Sequence, residues 1–309
     1  MQALLDVILP VFMVVGAGYL VVWRGWISAD AVEALMKFAQ NFAIPTMLFL
    51  ALARLDLSNI FEWRTLISFY TGAISGFLAG LLGARFLFGR DWEDAVAVGF
   101  VCLFSNSVLL GLAISERAYG TDSLSANFGI VAIHGPFCYA VGILTMESVR
   151  ARGAGLLQTA KRVVTGLARN ALVIGISLGA LVNLTGLPLP PAFLDGAGLL
   201  AGAGLPTALF GLGGVLYRYR PEGDLKLIAY AVVVSLILHP TVTWLMGRGL
   251  AVEPGQFRAA VVTSAMAPGV NAYLFANMYG RAQRVAASTV LVATTACVIT
   301  AWGWMTLLG

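Results

Sequence analysis

Long apolar runs separated by short polar connections dominate the chain. A helix needs about 20 apolar residues to cross roughly 30 Å of hydrocarbon. Ten runs approach that length, near 4–23, 34–53, 65–88, 95–115, 126–148, 168–184, 195–216, 225–246, 257–278 and 284–308. The fourth and ninth differ from the rest because polar residues interrupt them. The ninth contains SAMAPGVNAYLF, with Pro268, Gly269 and Asn271 near its middle. A proline removes a backbone donor and clashes with the preceding turn. In hydrocarbon each unsatisfied backbone group costs several kcal/mol, so such a segment needs a reason.

Composition agrees with the pattern. Only 11% of residues are charged, 59% are hydrophobic, and the mean hydropathy is +0.87. Soluble domains carry roughly 25% charged residues. The pattern predicts an all-α polytopic membrane protein. The net charge of +4 reports loop orientation in such a chain and makes no case for nucleic acid. Cys102, Cys138 and Cys297 lie in apolar stretches without metal or redox spacing, and read as buried thiols. No cofactor motif is present. The first run has no basic leader region and reads as a span.

Lysine and arginine divide unevenly between alternate sides of the ten runs. One set of loops holds only Arg54, Arg64, Arg117, Arg248 and Arg258, and the other holds the rest of the 19. The rich side should be cytoplasmic, which leaves both termini outside. The longest polar connection, 149–167, is then a cytoplasmic loop that separates residues 1–148 from 168–309, five runs each.

The halves share features. The second run reads AIPTMLFLAL (43–52) and the seventh GLPTALFGLG (204–213). The fourth holds Ser105-Asn106 and leads to Tyr119-Gly120. The ninth holds Asn271 and leads to Tyr279-Gly280. An odd number of spans per half inverts the second half, which is a mark of secondary transporters, and matching interrupted segments point to the binding site. Pro268-Gly269 should break the ninth span. Non-helical backbone at that depth is tolerated only where protein or a cavity satisfies it. The freed groups, together with Asn271, suit a polar solute, and half-helix N-termini favour anions. The fourth span, FSNSVLLGLA, offers Ser105, Asn106, Ser107 and Gly111 without a proline. Two breaks that cross would bring Asn106 and Asn271 together. The plainer alternatives are a simple kink at Pro268 and asparagines that only bridge helices. Pro45 and Pro206 read as scaffold features. Asn41, one turn before Pro45, lines a cavity or packs.

The ten spans, the paired IPT and LPT strings, Ser105-Asn106 before Leu110-Gly111, and APGVNAYLFANMYG together resemble the auxin efflux carrier family of membrane transporters over essentially the whole chain. The resemblance is to a compact bacterial-type member, in the bacterial inner (plasma) membrane. It implies two inverted five-helix repeats with broken, crossing helices in spans 4 and 9. It implies a scaffold of spans 1, 2, 6 and 7 that often dimerises, and a moving transport domain of spans 3–5 and 8–10. It implies a substrate at the crossover and elevator-type alternating access. The site residues carried over are Asn106, Pro268 and Asn271, with Ser105, Ser107, Gly269, Tyr273 and Asn41 beside them. Relatives often read Gly-Leu-Pro where this chain has Gly111-Leu112-Ala113.

His134 and His239, the only histidines, fall inside runs five and eight. Intramembrane ionisable groups are functional candidates, and proton coupling is one reading. A neutral histidine bonded to a carbonyl freed by the neighbouring proline is the preferred one. Acids are scarce within spans: Asp6, Glu147 and Asp195 lie near span ends. Gly72, Gly76 and Gly80, the pair Gly175 and Gly179, and the pair Gly198 and Gly202 recur at close-packing spacing. GISLG (175–179) matches a nucleophile elbow but lies mid-span, without the strand–turn–helix context that motif needs. No HExxH or P-loop occurs, which excludes a self-contained ATP-driven pump.

The leading expectation is a secondary carrier of a small organic anion, such as a dicarboxylate or an auxin-like carboxylate. A sodium-coupled symporter resembling the bile acid family is the alternative. An intramembrane enzyme fits less well, because only the two histidines resemble clustered ionisable groups. The expected partners are the anion, the bilayer and a second copy of the chain.

Overall fold

A computed structural model of the protein describes residues 4–54, 62–120, 123–150, 171–219 and 224–309. Among these residues the chain forms helices and no strand. Helices α1 (Leu5–Trp23), α2 (Ala29–Ala53) and α3 (Trp63–Phe86) are followed by a broken pair, α4 (Trp92–Leu103) and α5 (Leu112–Tyr119). Then come α6 (Leu124–Arg150), α7 (Ala171–Thr185), α8 (Pro191–Tyr217) and α9 (Leu225–Gly249). A second broken pair, α10 (Pro254–Ser264) and α11 (Val270–Tyr279), precedes α12 (Gln283–Leu308).

Among the described residues seven helices are long and apolar enough to cross a bilayer: α1–α3, α6, α8, α9 and α12. The fourth and ninth runs fall short because each is divided in two. The described part of α7 is 15 residues long. The start of that run, 168–170, lies outside the described residues, as does the 149–167 loop beyond residue 150. Side-chain caps set the starts of α3 and α4 earlier than hydropathy does, and that of α9 where hydropathy puts it, at Leu225. Asp91 Oδ1 accepts the Asp94 N–H at 2.7 Å and begins α4. Asp224 caps the N-terminus of α9, and Glu62 caps α3 at the Thr65 N–H, 2.6 Å.

Prolines shape the helices in a repeated way. Three π-helical turns, Leu4–Ile8, Ala39–Ala43 and Val234–Leu238, each end two residues before a proline: Pro10, Pro45 and Pro240. The missing proline N–H strands the carbonyl four residues back, and the widened turn relieves the ring clash. Two stranded carbonyls are claimed by side chains. Arg117 donates to the Asp6 carbonyl at 2.7 Å, and the Trp304 indole donates to the Leu236 carbonyl at 3.0 Å. Pro206 lies near the start of the second segment of α8, which divides into Pro191–Gly202 and Gly204–Tyr217 without a π-helical turn. A fourth π-helical turn, Ser107–Gly111, ends two residues before Ala113.

The chain separates into two compact units. The larger gathers described residues within 1–10, 62–159 and 219–309, and the smaller those within 11–61 and 160–218. In the larger unit the glycine ridge of α3 packs against α4 and α9. A methyl on Gly76 would stand 2.6 Å from the Cys102 carbonyl, and one on Gly80 2.8 Å from the Cys102 sulfur. A methyl on Gly72 would meet the Thr243 hydroxyl. Phe69, Ile130 and Ala260 form a buried cluster there.

In the smaller unit α7 lies on α2. A methyl on Gly179 would stand 2.5 Å from the Phe49 carbonyl, and one on Gly175 would meet that of Pro45. Asn183 Nδ2 donates to the Leu52 carbonyl at 3.0 Å. Gly213 and Gly18 let α8 and α1 approach to backbone contact. Gly198 and Gly202 touch nothing.

Candidate functional site

Both candidate breaks occur, and both lie in the larger unit. α4 stops at Leu103, and Phe104 and Asn106 adopt non-helical backbone angles. α10 stops at Ser264, and Gly269 is extended (φ −76°, ψ 166°) before α11. Each break satisfies the other. The Asn106 N–H donates to the Ala267 carbonyl at 2.8 Å, and the Gly269 N–H donates to the Phe104 carbonyl at 3.1 Å. Between these bonds Ser105 and Pro268 form an isolated antiparallel bridge. Two short extended strings thus replace helical bonding where Pro268 denies it. This is how irregular backbone persists in an apolar interior.

The helices that leave the breaks present their N-termini there. Asn106 caps the first, its Oδ1 accepting the Leu109 N–H at 3.2 Å. Gly269 begins α11 without a side-chain cap. Two partly positive helix ends therefore converge on one buried place, which favours negative charge. Ser105 is 3% exposed, and its Oγ has no hydrogen-bond partner. Asn271 is half-buried, and its Oδ1 accepts from the Tyr139 hydroxyl at 3.4 Å. Aromatic rings back the breaks: Phe100 stacks on Phe275 at 3.9 Å, and Phe104 and Tyr139 lie 6.1 Å apart.

The structure thus gathers Ser105, Asn106, Ser107, Pro268, Gly269 and Asn271. Tyr273 is half-buried and packs on Tyr219, ring centroids 5.0 Å apart. Asn41 belongs to the smaller unit, where it is exposed on the π-helical turn before Pro45.

His134 is joined to the break. Its Nε2 donates to the Ser105 carbonyl at 3.1 Å. That carbonyl is not the one stranded by Pro136, which belongs to Ala132. His239 is also 1% exposed, and its Nε2 has no partner. The carbonyl stranded by Pro240 goes to Trp304 instead. Phe69 stands between the two imidazoles, 5.4 Å from each.

Tyr139 was not singled out in the sequence. No local motif marks it, and its only signal is a place one turn beyond His134 on the same run. An ionic cluster was also missed. Arg281 and Arg150 both bond Glu93, at 2.8 and 3.1 Å, and Arg281 reaches Asp91 at 3.1 Å. Arg90 pairs with Asp224 at 3.1 Å. Arg281 is first among the groups that hold the Glu93 carboxyl below its ordinary range, followed by Arg150. No group of three or more metal-ligating side chains occurs among the described residues.

An all-helical chain with this many bilayer-length apolar helices and two helix breaks paired in its interior is a multi-pass membrane protein of the transporter class. The chain belongs to the membrane transport protein family, the auxin efflux carrier family, whose model matches residues 3–305. It is 24% identical over 302 residues to the Uncharacterized transporter YfdV of Escherichia coli (strain K12), covering 96% of this chain and 95% of that one. It is 25% identical over 319 residues to a protein of Rhizobium meliloti (strain 1021) whose name proposes malonate as its substrate, covering 100% and 97%. An Uncharacterized transporter of Methanothermobacter thermautotrophicus is 26% identical over 269 residues, 84% of each chain.

Proposed function

We propose that this protein is a secondary carrier of a small organic anion, of the dicarboxylate or aromatic carboxylate class, with the anion held at the paired breaks. The observation that carries the reading is the reciprocal bonding of the two breaks, Asn106 to Ala267 and Gly269 to Phe104. It sets two helix N-termini, the unpartnered Ser105 hydroxyl and the Asn271 amide around one place. Backbone dipoles and amides, rather than a fixed cation, would stabilise the charge, which leaves the anion free to depart.

In this reading the ten runs are ten spans in two inverted repeats, and transport is elevator-like. The larger unit holds both breaks and corresponds to spans 3–5 and 8–10, joined by the first turns of span 1 up to Pro10. The smaller corresponds to the rest of span 1 and to spans 2, 6 and 7, the fixed scaffold and the surface for a second copy. The division of contacts into these two units supports that assignment. The name of the Rhizobium meliloti relative makes malonate the first substrate to try.

The test is charge movement in proteoliposomes on addition of a panel of carboxylates, with tracer exchange alongside to catch electroneutral transport. One anion is expected to give a signal that Asn271→Ala abolishes. A signal that survives Asn271→Ala removes the anion from the breaks.

A further inference from the structure

A second polar feature lies in the larger unit, away from the breaks. A cavity of about 180 Å³, the space of about six waters, is lined by Tyr119, Ser123, Asn127, Gly255, Arg258 and Ala259. No carboxylate among the described residues contributes to this wall. Arg258 lies over the Tyr119 ring, 5.4 Å from its centroid, and no acid among the described residues pairs with it. Arg64, Arg85 and Arg248 also lie over aromatic rings, but none of them lines this cavity, and three further arginines of the unit are paired. Arg90, Arg150 and Arg281 are each neutralised by an acid at 2.8–3.1 Å. Glu253, the acid just before α10, is occupied as that helix's cap on the Gly255 and Gln256 N–H groups.

Asn127 gives an independent sign. It is 1% exposed. Its Nδ2 donates to Ser115 Oγ at 3.1 Å and to Thr263 Oγ1 at 2.8 Å. Its Oδ1 is buried with no partner. An amide half-satisfied in an apolar interior is costly; turned over, it lets Oδ1 accept from both hydroxyls and leaves Nδ2 to donate to an anion. The same three side chains lead inward. A methyl on Gly111 would stand 3.5 Å from Thr263, and the Gly111 N–H bonds the Asn106 carbonyl at 2.9 Å. A column of buried polar groups, Asn127, Ser115 and Thr263, therefore runs from the cavity to the break.

We propose that this cavity is a carboxylate-binding station, in which Arg258 receives the carboxylate of a small organic anion and Asn127 marks the inner wall that leads toward the breaks. It rests on the reading of the chain as an anion carrier, and makes Arg258 a determinant of apparent affinity on the arginine-poor side. A guanidinium with no acid partner among the described residues, over an aromatic ring and beside a small cavity, keeps its charge available for a planar anion.

The test uses the full chain in lipid nanodiscs and follows its thermal midpoint as malonate or benzoate is titrated, with malonamide as the uncharged control. A bound anion raises the midpoint by mass action. The acids are expected to raise it and malonamide to leave it unchanged. In Arg258→Gln the half-effect concentration is expected to rise about ten-fold or more. Arg258→Lys should recover part of the loss, and Asn127→Asp, which sets a carboxylate in the wall, should weaken binding. Arg64→Gln, which removes the same charge from outside this cavity, should not alter binding.

A wild-type titration curve in Arg258→Gln, or no response of the wild type to either acid, overturns the station. If Arg258→Gln does not fold, Arg258→Lys and Asn127→Asp decide by the same criterion. The two sites fail separately. Transport that persists in Asn271→Ala while Arg258→Gln weakens binding removes the breaks and keeps the station. Transport lost in Asn271→Ala with binding unaltered in Arg258→Gln does the reverse.

Discussion

The indole N–H of Trp304 donates to the carbonyl of Leu236 at 3.0 Å, and Leu236 is the residue whose carbonyl Pro240 leaves without its helical partner. A defect in α9 is thus completed by a side chain from α12. Arg117 and the Asp6 carbonyl repeat the arrangement for Pro10. In lipid such completion is required, because no water can supply the bond.

Trp304→Phe keeps most of the ring volume and strands that carbonyl. It is expected to cost about 1–3 kcal/mol, read as a lower unfolding midpoint in detergent. Trp302 provides the contrast, since its indole nitrogen is buried without a partner. Trp302→Phe is expected to be near neutral or stabilising. Equal losses for the two variants would show that the Leu236 bond contributes nothing.

Ala113 occupies the position that proline takes after the other three π-helical turns. A proline in an ordinary helix interior costs about 3 kcal/mol. Where the backbone already suits it, proline is neutral or stabilises by about 0.4–1 kcal/mol. Ala113→Pro is therefore expected to fold with its unfolding midpoint unchanged or raised. A loss near the interior value would mean that the turn at Ser107–Gly111 only resembles the others in its bonding.

Two glycines should respond in opposite ways. A methyl on Gly76 would stand 2.6 Å from the Cys102 carbonyl, so α3 and α4 must separate. Gly76→Ala is expected to destabilise by about 1–3 kcal/mol. A methyl on Gly269 would meet nothing closer than 3.6 Å, and its backbone angles are open to any residue. Gly269→Ala is expected to change stability by less than about 1 kcal/mol. A large loss there would indicate close backbone packing at the break beyond the contacts described.

Tyr139→Phe removes the hydroxyl that bonds Asn271 Oδ1 at 3.4 Å. The bond is long, so folding should be nearly unaffected. If the anion uses the Asn271 amide, its half-saturation is expected to shift about two- to ten-fold while maximal transport is retained. An unchanged half-saturation would separate Tyr139 from substrate binding.

Glu93 sets a pH dependence. Arg281 and Arg150 hold its carboxyl below the ordinary value of 4.5. An acid with a depressed folded pKa contributes stability above its unfolded pKa and loses it as pH falls through the folded one. Stability is expected to decline as the pH drops below about 4.5, and Glu93→Gln to flatten that decline. The amplitude should be small and salt-sensitive, because these side chains are 25–35% exposed. The same slope in both proteins would assign the decline to other acids.

The helical membrane character, the approximate helix positions and the presence of two interruptions were legible in the sequence. Each is written locally. Apolar runs near 20 residues, and Pro268-Gly269 inside one of them, need no distant partner to be recognised. The interruption at Ser105-Asn106 was harder to read, because the chain has Ala113 where a proline would advertise it. Asp91 and Glu62 moved helix starts earlier, since a cap is set by one side chain and not by hydropathy.

What only the tertiary structure decided is the matching of groups distant in sequence. Asn106 finds Ala267, Leu236 finds Trp304, and Tyr139 reaches Asn271. The sequence determines which backbone groups each proline leaves unpaired, because that deficit follows from covalent structure alone. Which donor meets each deficit depends on how the helices pack. A chain read in one dimension does not contain that packing.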